Sequence, residues 1–130
     1  MATTAFKKLE VYRLSERLAN AVWTMVSDWD WFAKNSVGKQ LVRAADSIGA
    51  NIAEGVGRGS YQENKRFVRV ARGSLNETMH WLRLGYARNL VTKEEVAELR
   101  PMIRELAPRL NAYLKSIGPT ADVSRGTNNN

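Results

Sequence analysis

This sequence predicts an all-α fold, an antiparallel up-down-up-down four-helix bundle, on three observations. Four segments repeat apolar residues at steps of three and four, the spacing that gathers side chains on one helix face. No segment alternates apolar and polar residues as a half-buried strand does. The connections between segments are short, so helices adjacent in sequence should pack antiparallel. With 130 residues, 44% of them hydrophobic, the chain has the size of one domain with a sizeable core.

The first helix runs from about Leu9 to Ser27, with the stripe Val11, Leu14, Leu18, Ala21, Val22 and Met25. Asp28-Trp29-Asp30-Trp31-Phe32 follows as an aromatic junction, either an apolar plug at the end of the bundle or an exposed patch for a partner. The second helix, from about Trp31 to Glu54, has the stripe Val37, Leu41, Ala44, Ala45, Ile48 and Ile52. It also concentrates small residues, which let helix axes approach closely. Gly49 within it costs about 1 kcal/mol relative to alanine and so predicts a packing reason. Gly55 is expected as the left-handed residue just beyond the helix end, with Gly55-Val56-Gly57-Arg58-Gly59 as the turn.

Ser60 to Leu90 forms the third helix. Ser60 and Glu63 have the spacing of a capping box, and the expected core stripe is Phe67, Ala71, Leu75, Thr78, Met79, Leu82 and Tyr86. The fourth helix runs from about Lys93 to Ile117, opened by a second box at Thr92 and Glu95. Val96, Leu99, Ile103, Leu106, Leu110, Tyr113 and Ile117 keep a bundle-core repeat. Pro101 and Pro108 interrupt it, predicting one helix with a kink or break near Pro101. The bundle should occupy residues 1–117, and 118–130 should be a disordered tail.

Composition narrows the function. There is no cysteine, which removes disulfides and thiolate metal sites, and it suits a reducing cytoplasm. No window is long and apolar enough for a membrane span, and the first nine residues lack an apolar signal core. The expectation is a soluble, cytoplasmic protein that contacts no membrane. His80 is the only histidine. Glu77-x-x-His80 matches one element of a di-iron bundle, but such a site needs two. A Ser-His-Asp arrangement would have to use a histidine in mid-helix with no nucleophile elbow. Gly55-x-Gly57-x-Gly59 follows a helix rather than a strand, so it reads as a turn and not as a nucleotide loop. No enzyme, metal or cofactor is expected.

The net charge is +7, and it is not evenly spread. Residues 58–90 carry seven positive charges against two negative ones, while every other segment is nearly balanced. Lys65, Arg69 and Arg72, then His80 and Arg83, fall near one face of the third helix. Arg66 lies beside them and Arg58 stands at the helix start. Such a stripe can follow a phosphate backbone without reading sequence, or it can be a solvated face paired with acidic neighbours. The second helix carries a polar stripe, Gln40, Arg43, Ser47, Asn51 and Glu54. Arg43 and Glu54 are expected partly buried and paired, in a network that fixes register or a subunit interface, or else in a ligand-facing groove.

The run Gln40-Leu41-Val42-Arg43-Ala44-Ala45-Asp46-Ser47-Ile48-Gly49-Ala50-Asn51-Ile52-Ala53-Glu54-Gly55-Val56-Gly57-Arg58, with Phe67 and Ala71-Arg72-Gly73-Ser74-Leu75-Asn76-Glu77, resembles the signature of a bacterial four-helix-bundle family. Its members include proteins encoded in intervening sequences of large-subunit ribosomal RNA genes and accessory variability proteins of diversity-generating retroelements. The opening Phe6-Lys7-Lys8-Leu9-Glu10-Val11-Tyr12 resembles the family's start, and the likeness covers about residues 6–117. The resemblance implies an antiparallel bundle assembled as a homo-oligomeric ring, a pentamer. In the retroelement branch it implies a basic ring that binds RNA or DNA and a reverse transcriptase. Gly73 in mid-helix points to a close helix contact. Val42 departs from the pattern, in which a second arginine often stands beside Arg43.

The sequence thus predicts a non-enzymatic oligomer that binds nucleic acid through Arg58, Lys65, Arg66, Arg69 and Arg72. The competing reading is a protein-interaction adaptor that binds none, docking through Trp29, Trp31 and Phe32 or through the small-residue face of the second helix.

Overall fold

The computed structural model describes residues 2–119. Of the tail expected over 118–130, all but Gly118 and Pro119 lies outside the described residues. A 3-10 helix, Ala2–Lys8, leads into α1, Glu10–Ser27. The second rod, α2, covers 31–56 in three pieces: an α-helical turn Trp31–Ala33, a π-helical turn Lys34–Gly38 and an α-helix Lys39–Val56. Then come α3, Tyr61–Ala87, and α4, Lys93–Ser116. No strand occurs among the described residues.

Contacts along the rods fix the topology. Glu10 near the start of α1 pairs with Arg109 near the end of α4. Gly38 abuts Val26 and Gly49 abuts Tyr12, so α1 and α2 run in opposite directions. Ser47 meets Ser74, and Gly55 meets Asn64, across α2 and α3. Arg72 meets Asn111, and Gly85 meets Val91, where α3 turns back as α4. Each helix therefore packs antiparallel to its neighbour, up-down-up-down.

The core is one cluster. Leu14, Leu18, Val22, Leu41, Ile48, Ile52, Leu75, Leu106 and Leu110 are buried in it, as the stripes require. Burying each such side chain contributes about 1.5–3 kcal/mol. Thr92 and Glu95 make the full reciprocal capping box. Pro101 and Pro108 are both exposed and lie inside an unbroken α4.

Several expectations give way to packing. On α3 the buried apolar side chains are Val68, Ala71 and Leu75, with Thr78; Phe67 and Leu82 are partly covered, and Met79 and Tyr86 are exposed. Val68, absent from the expected stripe, stands seven residues before Leu75, two turns away on the same helix face, and is fully buried. Gly55 is inside α2 and not left-handed; the helix ends at Val56, with Gly57 at φ −78°. Gly55 is required for approach instead, since a Cβ there would lie 2.5 Å from Asn64 Oδ1 and 3.2 Å from Phe67 Cβ. Asn89, φ 62°, is left-handed instead, after α3. Ser60 caps α3 by accepting from Glu63 N–H at 3.1 Å, but the Glu63 carboxylate turns to Arg66, so only half of that box forms.

Candidate nucleic-acid interface

At about 100° per residue, the residues of α3 at steps of three and four from Lys65 and those at such steps from Glu63 fall on opposite flanks of its buried stripe. The first flank faces α4, the second α2.

On the α2 flank, charges and polar groups are paired. Asn51 Nδ2 donates to Ser47 Oγ at 2.9 Å and to the Ser47 carbonyl at 2.8 Å. Ser74 Oγ lies 3.0 Å from Ser47 Oγ, the one cross-helix bond of this group. Arg43 donates to Gln40 Oε1 at 2.7 Å. Arg43 and Glu54 were expected partly buried; both are exposed, because at about 100° per residue they lie farthest in that stripe from the buried face of Leu41, Ala45, Ile48 and Ile52. Glu54 pairs with Arg58 at 3.0 Å, and Glu63 pairs with Arg66 at 3.1 Å. Hydrogen bonding from Arg66 holds the Glu63 carboxyl below its ordinary range, and Glu63 in turn raises Arg66. The two guanidinium groups lie on the Phe67 ring, 4.9 Å and 4.5 Å from its centroid. Glu77 accepts from the Trp81 indole at 3.2 Å.

On the α4 flank the pattern reverses. Among the described residues no carboxylate pairs with Lys65, Arg69 or Arg72. Arg72 donates only to the neutral Asn111 side chain, at 3.2 Å. Arg83 continues this flank and faces Lys93, Arg100 and Arg104 of α4 across a shallow groove. The five residues expected to contact phosphate therefore separate into two groups. Arg58 and Arg66 sit on the α2 side against carboxylates, while Lys65, Arg69 and Arg72 sit on the α4 side without them.

The fold and the α2 motif are those of a known family. Residues 7–112 match the 23S rRNA-intervening sequence protein family. The chain belongs to that family. A solved protein of unknown function from the S23 ribosomal protein family of Bacteroides thetaiotaomicron superposes with a TM-score of 0.71 at 25% identity, over 81% of this chain and 98% of that one. No curated protein matches. In this chain the motif residues Ala44, Ala45, Ile48, Gly49, Ile52 and Gly55 are buried, and Ser47 and Asn51 make the polar bridge toward Ser74. The signature is thus mainly an architectural one. Gly73 is an exception, exposed with nothing near a built Cβ, so the close contact expected of it does not occur within the described chain.

Arg100 and Arg104 are the residues that sequence reading missed. The fourth helix is nearly neutral by count, which conceals its sidedness. Glu95 and Glu98 line a recess against α1, and Glu105 and Arg109 form a pair on the side where Arg109 also meets Glu10. Lys93, Arg100 and Arg104 face α3. The signal was present as spacings of seven and four, and it needed to be sorted by face. The aromatic junction also divides: Trp29 packs on the core, while Trp31 and Phe32 stand 77% and 76% exposed. Among the described residues no group of acidic or histidine side chains is placed to hold a metal ion, and no helix is long and apolar enough to cross a membrane.

Proposed function

We propose that this protein is a non-catalytic, cytoplasmic nucleic-acid-binding oligomer that contacts phosphate through the α4 flank of α3. The observation that carries the reading is that, among the described residues, no carboxylate pairs with Lys65, Arg69 or Arg72, three cations one and two turns apart on a single rod. Cations without carboxylate partners release counterions when they neutralise phosphates, which gives affinity without base reading. Arg58 and Arg66 are secondary contributors, because a phosphate must compete there with Glu54 and Glu63. Family membership adds support: relatives are named for intervening sequences of 23S rRNA, and RNA is the first polyanion to test.

Self-assembly into a ring, a pentamer, belongs to the same reading. The exposed Gly73 supports it, since a mid-helix glycine costs about 1 kcal/mol and has no packing reason within the described chain. A reverse transcriptase is the partner that the retroelement branch would add. Native mass spectrometry measures the ring directly, against a 14.6 kDa protomer. Titration of labelled RNA and DNA against salt tests the interface. Affinity should fall steeply between low and physiological salt; a flat profile removes the electrostatic mechanism.

The exposure of Trp31 and Phe32 favours a second reading, an adaptor that binds another protein and no nucleic acid. A nuclease-treated pull-down separates the two, because an adaptor keeps its partners after digestion.

A further inference from the structure

The bundle pattern is unfinished between the C-terminal half of α3 and the N-terminal half of α4. Met79 and Tyr86 repeat at four residues from Leu75 and Leu82, as core residues would, yet they are 38% and 46% exposed. Val96 and Ile103 on α4 are likewise only partly covered. With Leu82 they floor an open groove of about 640 Å³. Four cations line it, Arg83, Lys93, Arg100 and Arg104, and no carboxylate does.

We propose that this groove docks an acidic amphipathic helix of a partner protein. The floor is aliphatic apart from Tyr86, so it fits side chains such as leucine presented at i, i+3, i+4 and i+7 of a helix. From Lys93 to Arg104 the groove follows α4 for roughly 17 Å, about three helical turns. The rim needs carboxylates on both edges of the incoming helix, and opposite charges there would speed encounter and fix orientation. A second copy of this chain does not supply such a helix. The charges of α1 balance, and each of the other three rods carries a positive surplus. Nucleic acid satisfies the cations but not the floor, because bases stack on planar groups and the groove offers one ring. The groove is a separate site from the Lys65, Arg69 and Arg72 strip, and its occupant is a different macromolecule.

The probe is a synthetic peptide of about 14 residues, with leucines on one helical stripe and glutamates elsewhere, labelled with fluorescein. It is titrated into the full chain by anisotropy, and methyl resonances of Met79 and Ile103 are followed in parallel. Saturable binding that shifts both methyls is expected. A peptide of the same composition in scrambled order should bind at least tenfold more weakly. Arg100→Glu with Arg104→Glu should also weaken binding at least tenfold, at unchanged helix content by circular dichroism. Arg100→Gln with Arg104→Gln serves if the reversal disturbs folding. Arg69→Glu with Arg72→Glu should leave peptide binding intact while weakening RNA binding, so failure of the groove and failure of the phosphate strip are read separately. The proposal is overturned if the scrambled peptide binds equally, if the groove variants bind the peptide like the parent, or if the peptide fails to bind. It is also overturned if an oligouridine displaces the peptide and shifts the same methyls, which would make the groove part of the polyanion site.

Discussion

One flank of α3 closes on α2, and the other leaves α4 at a distance. The α2 flank is built from small residues, Ala44, Ser47, Gly55, Ala71 and Ser74, so the helix axes come near enough for Ser47 to reach Ser74. Its charged groups then find partners along the edge, in Glu54 with Arg58 and Glu63 with Arg66. Packing between α3 and α4 is sparser than between α2 and α3. There the large side chains Met79, Tyr86, Arg83, Arg100 and Arg104 line a groove instead of meeting a facing layer. The lesson is that a local surplus of positive charge says little until its neighbours are known. On one side of α3 it is offset by carboxylates, and on the other, among the described residues, it is not.

The sharpest way to break the closed flank is Gly55→Val. A side chain there would meet Asn64 and Phe67 within 3.2 Å, so unfolding in urea should show a loss of about 2–3 kcal/mol. A neutral result would mean that α2 and α3 can separate freely. Charge reversal of the open flank comes next. Arg69→Glu with Arg72→Glu should reduce RNA affinity tenfold or more, about 1.4 kcal/mol, and lower the salt slope by about 2. Arg58→Glu with Arg66→Glu should do less, and an equal loss would erase the distinction between the flanks.

Ser74→Ala removes the cross-helix bond to Ser47 and should cost about 1 kcal/mol, measured by the same unfolding curves. Gly73→Ala meets nothing within 4 Å and should stabilise the isolated chain by up to about 1 kcal/mol. A loss of stability together with a smaller assembly in native mass spectrometry would instead place Gly73 at a subunit contact.

The smallest effect concerns Asp46. Burial raises its carboxyl above the ordinary value of 3.8. The folded state therefore holds this proton more tightly than the unfolded state does. The resulting stability is present below that value and is lost as pH rises through the folded pKa. Asp46→Asn should flatten the stability profile just above pH 3.8 and be slightly stabilising at neutral pH. An unchanged profile would show that the carboxylate is fully hydrated.

The four rods, their order, the Thr92 cap and most of the core can be read along the chain, because periodicity and capping are local properties of a helix. The surplus of cations on the third helix was legible for the same reason. Which cations lack a carboxylate among the described residues follows only from how the rods pack. Pairing depends on which neighbour each flank meets and how closely, and neither is encoded in the spacing along one helix. Packing also decided that Gly55 serves approach and not a turn, that Met79 and Tyr86 leave the core stripe uncovered, and that Arg100 and Arg104 join the face of α3. In each case the deciding distance is between rods, set by the bulk of side chains more than a helix apart in sequence.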